Sequence, residues 1–349
     1  MIEKERTYPI RLLMYEALLE RIIPNHPKTA FIEQDYRARR AGYRGELQTD
    51  YRLSFLPEKG FHIFRDLRLQ DEKWHFQIDT LLLTLQYILL IETKAHSGTL
   101  FFDKHSEQMI QTKNDQEKSY DNPINQVRMQ AWHLKRWLQN HKFRVPPIYQ
   151  LVAISNASTI IKVSDHSLNN LIVKGDVLLS RVHPFDERTT TPIFTDKEAR
   201  KLANSLLKNH SPHHPDILKQ YSLSADDLQK GVQCPACLSY GMNREKWIWR
   251  CPVCEHKSKT AHHKTVKEFF LLISPTIKNQ TCREFCPGVS SKTIKDLLLS
   301  LSLPHTGTNK GRIYHMPPDI EIFFDSVKES HATRNSRTNT KANHHTNPR

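Results

Sequence analysis

Glycine is scarce, with 10 in 349 residues, and none falls in a GxGxxG or GxxxxGK[ST] string. Those are the two glycine-rich loops that cradle phosphates, so dinucleotide and P-loop chemistry have no support in this chain. Long apolar runs are lacking too. The longest, residues 81–91, includes Thr84 and Gln86 and is followed at once by Glu92, which is too short to span a bilayer. The opening MIEKERTYPI has no apolar segment of the signal-peptide kind, so the expectation is a cytoplasmic protein with no membrane partner. Cysteines number six. In a reducing compartment they point to metal or packing rather than disulfides.

What is present is charge of one sign, unevenly placed. Lys and Arg outnumber Asp and Glu by 51 to 37, a net +14, and residues 230–349 hold 19 basic against 9 acidic residues, a local +10. A basic C-terminal third attracts a polyanion, and nucleic acid is the common soluble one. With 25% charged and 38% hydrophobic residues, the chain reads as globular and long enough for two or three units.

Residues 8–23 carry apolar residues at helical spacing and stop at Pro24. A second helical stretch, 32–55, is Arg-rich and then gains an apolar face at Leu47, Tyr51 and Phe55. FHIFRDLRL alternates as a strand does, and WHFQIDTLLLTLQYILLIETKAHSGTLFF reads as consecutive strands buried on both faces, turning near Gln86 and Tyr87. From Pro123 the 3.6-residue period returns at Val127, Ala131, Leu134 and Leu138. IYQLVAIS and LNNLIVKGDVLLS suggest further strands, and 195–208 a polar helix. The expected class is α/β around a mixed sheet.

Cys234 and Cys237, then Cys251 and Cys254, form CPAC and CPVC pairs with 13 residues between them. Two such turns complete a tetrahedral S₄ shell suited to Zn²⁺, with no open position, so the metal expected there is structural and the object a zinc ribbon. Cys282 and Cys286, one helical turn apart without a second pair, read as packing.

Asp79 lies in QIDTLLL, and Glu92 and Lys94 lie two apart in IETKA, on one side of a strand. A neighbouring strand can bring Asp79 beside them. The set suits metal-assisted phosphodiester hydrolysis, with Asp79 and Glu92 holding Mg²⁺ or Mn²⁺ and Lys94 positioning the attacking water. Spacing alone favours a mere surface pair; charges inside a doubly buried hairpin turn the balance to the functional reading, because their burial is costly unless they bind a metal or each other. Glu46 can add a carboxylate from above the sheet, and Gln126, followed by Gln130 and His133 on one helix, can orient water or phosphate.

GYRGELQTDYRLSFL, FRDLRL, QIDTLLL, LLIETKAHSGTL and NPINQVRMQ, in that order, resemble the nuclease-related domain, NERD, of the PD-(D/E)XK nuclease superfamily. The resemblance spans residues 40–138. It implies the restriction-endonuclease-like αβββαβ core and gives catalytic weight to Glu46, Asp79, Glu92, Lys94 and Gln126. One departure is Thr80, where many relatives have His.

In TCREFCPGVSSKTIKDLLLSLSLPHTGTNKGRIYHMPP, a short helix, a Pro-Gly turn and a second helix with an Ile294, Leu297, Leu298, Leu301 stripe give helix-turn-helix order. HTGTNKGRIYHM looks like a wing. Lys292, Lys295, Lys310 and Arg312 are the expected nucleic-acid contacts. The module is similar to segments joined to NERD and a zinc ribbon in bacterial proteins. The expected plan is an N-terminal helical arm at 1–35, the nuclease-like domain at 36–212, a linker at 213–230, the zinc ribbon at 231–258, a winged-helix-like module at 262–322 and a disordered basic tail at 323–349. The expected activity is Mg²⁺-dependent DNA hydrolysis, on duplex DNA before RNA, in a chain that can form a homodimer. The alternative is a DNA-binding regulator with an inactive nuclease-like domain.

Overall fold

The computed structural model describes residues 1–188, 191–320 and 322–324. In chain order its first elements are β1 (Ile2–Lys4), α1 (Ile10–Arg21), α2 (Thr29–Leu53), β2 (His62–Asp71), β3 (Trp74–Leu83), β4 (Ile88–Lys94), β5 (Thr99–Asp103), β6 (Gln108–Lys113) and β7 (Gln116–Asp121). There follow α3 (Pro123–Asn140), β8 (Ile148–Ile154), β9 (Ile160–Val163), β10 (Ile172–Lys174), α4 (Leu178–Arg188), α5 (Asp196–Lys208) and α6 (Ile217–Gln220). The last third holds β11 (Asn243–Glu245), β12 (Ile248–Arg250), β13 (Lys257–Ser258), α7 (Ala261–Leu272), β14 (Thr276–Ile277), α8 (Asn279–Phe285), α9 (Ser291–Ser300), β15 (His305–Thr306) and β16 (Ile313–His315). Two units result: Met1–Pro9 with Arg37–His214, and Ile10–Tyr36 with Pro215–Arg349.

The first unit is built on a mixed six-stranded sheet, β1-β2-β3-β4-β8-β10. β2, β3 and β4 are antiparallel, while β1, β8 and β10 run parallel to their neighbours. The order α2, β2, β3, β4, α3, β8 fits a nuclease-like αβββαβ core. Leu81, Leu83, Ile88 and Leu90 pack with Val127, Ala131, Leu134 and Leu138 of α3, and Leu82, Leu89 and Ile91 pack on the other side with Leu53, Leu178 and Val182. Burial on both faces is why β3 and β4 read as unbroken apolar runs. The fully buried Leu90 and Leu134 are sites where truncation to Ala costs about 2–5 kcal/mol. α3 begins where it does because Asn122 Oδ1 accepts from Ile124 N at 3.0 Å and Pro123 occupies the first turn.

Several expectations are corrected. Leu47 and Tyr51 of α2, and Phe55 just after the helix ends, are exposed, whereas Gly45, Thr49, Asp50 and Leu53 are buried. Gly45 permits a close approach: a Cβ there would lie 2.5 Å from Ser155 Oγ and 2.7 Å from Ala95 Cβ. LNNLIVKGDVLLS contains only the short β10 before turning into α4. A second sheet, β7-β6-β5-β9, adds three strands, β6, β7 and β9, that the sequence pattern does not mark.

In the second unit α1 packs against α7. Arg21 is fully buried; its Nε donates to Glu268 at 2.6 Å and its Nη1 to Gln229 O at 2.7 Å, and its guanidinium lies 4.5 Å from the Phe285 ring centroid. Removing one partner of such a pair costs about 3–5 kcal/mol, because the other charge is left unpaired. The expected arm is thus divided: β1 pairs with β2 in the first unit, while 10–36 belongs to the second. The expected linker carries buried Ile217, Leu218 and Leu228, with Leu228 in a bridge to Ile22. β11-β12-β13 and β14-β16-β15 are two small antiparallel sheets. Of the expected tail, residues 325–349 lie outside the described residues.

Candidate functional site

The β3–β4 ladder runs from Leu83 opposite Ile88 to Thr80 opposite Ile91, and Asp79 and Glu92 are the next residues beyond it. On its other side, the β2–β3 ladder pairs Arg65 with Thr80 and Leu67 with Ile78 but omits Asp66 and Asp79. Asp66 has φ 53°, in the left-handed region. This interruption frees both polar ends of Asp79: its Oδ2 accepts from Thr93 N at 2.9 Å, and its carbonyl accepts from Arg6 Nη2 at 2.8 Å. Ladder irregularities of this kind re-aim side chains next to reactive sites.

Glu92, 1% exposed, is held at both oxygens. Lys94 Nζ donates to Oε1 at 2.7 Å and Gln130 Nε2 to Oε2 at 2.8 Å. Lys94 Nζ also donates to Gln126 Oε1 at 2.9 Å. Gln126 is exposed and lines a cavity of about 670 Å³ with Asn122, Asn125 and Tyr120, so the network reaches solvent there. Glu92, Lys94 and Gln126 are therefore brought together, with Asp79 tied to them through the Thr93 backbone. Burial pushes the Asp79 carboxyl well above the carboxylate range, and the negative charges of Glu92 and Glu46 add to that.

Glu46 stands apart. Arg6, whose side chain is 3% exposed, donates to Glu46 Oε2 at 2.6 Å and Asp50 Oδ2 at 2.7 Å. Burial raises Glu46 to about 7 against the opposing pull of Arg6, helped by Asp66, Asp50 and Glu92. Among the described residues, the four cysteines are the only set of three or more His, Cys, Asp and Glu side chains with ligand atoms mutually within 4.8 Å. The three carboxylates do not close into such a set.

Sequence reasoning missed Arg6, Asp50 and the Thr93 N–H. Arg6 is 40 residues from Glu46 and 73 from Asp79, and no local pattern marks it. Gln130 had a signal, being one turn after Gln126 on the same helix. His133, next in that series, instead pairs with Asp71 at the far end of β2, 2.9 Å away.

The second cluster is the sulfur one. Cys234 Sγ lies 3.7 Å from Cys254 Sγ, and Cys237 Sγ 3.5 Å from Cys251 Sγ. An ion about 2.3 Å from each of four sulfurs sets them roughly 3.8 Å apart, so the cluster is compatible with zinc and a ribbon. The two knuckles repeat one geometry: Leu238 N donates to Cys234 O at 3.0 Å and Glu255 N to Cys251 O at 3.1 Å, with φ 61° at both. The Ser239 hydroxyl and the Cys254 and Val253 N–H groups lower Cys251 to about 6, which favours the thiolate a metal needs. Cys282 and Cys286 are buried and outside the cluster.

Of the expected nucleic-acid contacts, Lys292 and Lys295 are exposed on α9 and Arg312 is half-buried before β16. The Lys310 side chain lies outside the described residues.

Residues 41–155 match the family model of the nuclease-related domain. No curated protein and no solved structure matches the chain. The nuclease-related segment contains Glu92, Lys94, Gln126 and Gln130, which are joined by side-chain hydrogen bonds, Asp79, which is tied to them through Thr93 N, and Glu46, which is held by Arg6 instead. Arg6 and the cysteine cluster fall outside it. No described helix is long and apolar enough to cross a membrane.

Proposed function

We propose that the first unit is a metal-dependent nuclease that hydrolyses phosphodiester bonds of DNA, and that the second unit holds the chain on DNA. The observation that supports it most is the set Asp79, Glu92, Lys94 and Gln126 within a matched nuclease-related segment, beside an open cavity. The donor set fits a hard divalent cation: two carboxylates suffice for Mg²⁺, which keeps its remaining positions for water and phosphate oxygens. Gln130 Oε1, next to Glu92 and buried without a hydrogen-bond partner, is an acceptor suited to a water of such an ion. Bound there, the ion supplies Lewis-acid polarisation of the phosphate and lowers the pKa of its water.

The chain's own residues do the rest. Asp79 and Glu92 would hold the ion, with the Thr93 N–H and the Gln130 amide fixing the two carboxylates. Lys94 Nζ, shared between Glu92 and Gln126, orients the attacking water and offsets the charge that grows on the phosphate oxygens. Gln126, at the cavity edge, steadies the water or the scissile phosphate. Water oxygen bonds to phosphorus and releases a proton to solvent as the P–O ester bond breaks, and the departing alkoxide takes up a proton from solvent.

In the second unit, the order α7, β14, α8, α9, β15, β16 supports a winged-helix reading in which α9 faces DNA with Lys292 and Lys295, and Lys310 and Arg312 sit on the wing. Zn²⁺ on the four cysteines would be structural. One observation favours the second reading, an inactive nuclease-like domain serving a DNA-binding protein: Glu46 is committed to Arg6, so the carboxylates do not close on one point. Cleavage of supercoiled, linear and single-stranded DNA and of RNA with Mg²⁺, comparing wild type with Glu92→Ala, separates the two. Product from wild type alone supports the nuclease; no product from any substrate supports the regulator.

A further inference from the structure

β4, β8 and β10 run parallel, and in open α/β sheets the crevice outside the carboxyl ends of parallel strands is where ligands bind. Here that crevice is a cavity of about 540 Å³, walled by Ala95 after β4, Ser155 and Asn156 after β8, Gly175 after β10, and one flank of α2. The α2 flank is Arg44, Gln48 and Arg52, and across the Gly45 and Thr49 line it lies opposite Glu46 and Asp50. Arg44 and Arg52 are both exposed, and neither has an acidic partner among the described residues. Two guanidinium groups without an acidic partner thus line a polar cavity in which Asp176 is the only acid among the described wall residues, and that of Arg52 lies 6.0 Å from the Tyr51 ring centroid.

Beside them stands an aromatic surface. Tyr51 is 61% and Phe55 60% exposed, with ring centroids 5.2 Å apart. Exposed rings next to unpaired arginines match a ligand with both phosphates and flat bases, and a ring can stack only on a base that is not already paired and stacked in a duplex. We propose that this cavity and the Tyr51 ring beside it bind a single nucleic-acid strand, Arg44 and Arg52 holding phosphates and Tyr51 stacking on a base. The cavity shares its wall with the candidate site, because Ser155 N donates to Lys94 O at 2.9 Å and Ala95 follows Lys94. The inference deepens the nuclease reading, on which its meaning as a substrate track rests, but strand binding itself is measured without cleavage.

The test uses the full chain in EDTA. Fluorescence anisotropy follows a labelled single-stranded oligonucleotide and a duplex of equal length over a range of salt, for wild type and Arg44→Ala/Arg52→Ala. Ultraviolet cross-linking with peptide mapping is run in parallel. The expected result is a roughly tenfold loss of single-strand affinity, a salt slope smaller by about 1.4 units for two lost phosphate contacts on a single strand, a smaller loss on duplex, and cross-links in the peptide bearing Tyr51. Both substitutions are at exposed helix positions, and Ala is the better helix former, so circular dichroism should be unchanged. Unchanged affinity and slope, or equal losses on strand and duplex, would overturn the proposal. Failure of the nuclease reading is seen separately, as absence of Mg²⁺-dependent product from wild type.

Discussion

Glu46 shows how an ion pair can still leave a carboxyl hard to ionise. Arg6 lies 2.6 Å away, yet burial and three neighbouring carboxylates raise the group to about 7 from 4.5. A raised carboxyl binds its proton more tightly in the folded state. Its contribution to stability is therefore fully present below pH 4.5 and is lost as pH rises through about 7. Urea unfolding at pH 5 and pH 8 should show wild type losing on the order of 1 kcal/mol relative to Glu46→Gln across that interval. A constant difference between the two proteins would refute it. The meeting of Glu92 and Lys94 is legible from their spacing, since a strand puts i and i+2 on one side. Arg6 was not, because its importance arises only when the interrupted β2–β3 ladder exposes the Asp79 carbonyl.

At the scale of elements, the chain was legible where the apolar period was strong. α3, β3 and β4 and the α9 stripe lie where periodicity placed them. On α2 the apolar period points the wrong face inward, because the buried side carries Gly45, Thr49 and Asp50, packed by closeness and by Arg6 rather than by apolar area. β6 and β7 have polar sequences with no alternation to find. Their one signal was the pair Asn114 and Asp115, both with φ above zero, as a two-residue hairpin turn requires. The cysteine spacing was the most specific signal in the chain, and the sulfurs do cluster. Purified protein should contain about one Zn²⁺ per chain, since one S₄ set is present. Chelation should expose the fully buried Trp249 of β12 and red-shift its fluorescence, and Cys234→Ser/Cys251→Ser should carry no zinc. Zinc retained by that double variant would contradict the assignment.

Across the whole molecule, charge and chemistry are divided. Residues 230–349 carry +10 of the net +14, while the carboxylate and lysine network belongs to the first unit. If the second unit supplies duplex affinity, Lys292→Ala/Lys295→Ala in the full chain should weaken duplex binding and reduce the salt slope by about 1.8 units, about 0.9 for each phosphate contact. Metal-dependent chemistry at saturating DNA should be unaffected; an unchanged slope would remove α9 from the interface. Asp79 and Glu92 are proposed to hold the ion for phosphodiester hydrolysis. Single-turnover cleavage at saturating DNA, with Mg²⁺ and with EDTA, tests it most directly in wild type, Asp79→Asn and Glu92→Gln. Product is expected from wild type with Mg²⁺ alone, with rates at least about 100-fold lower in both variants although DNA remains bound. Cleavage by either variant at the wild-type rate, or by wild type in EDTA, would contradict it.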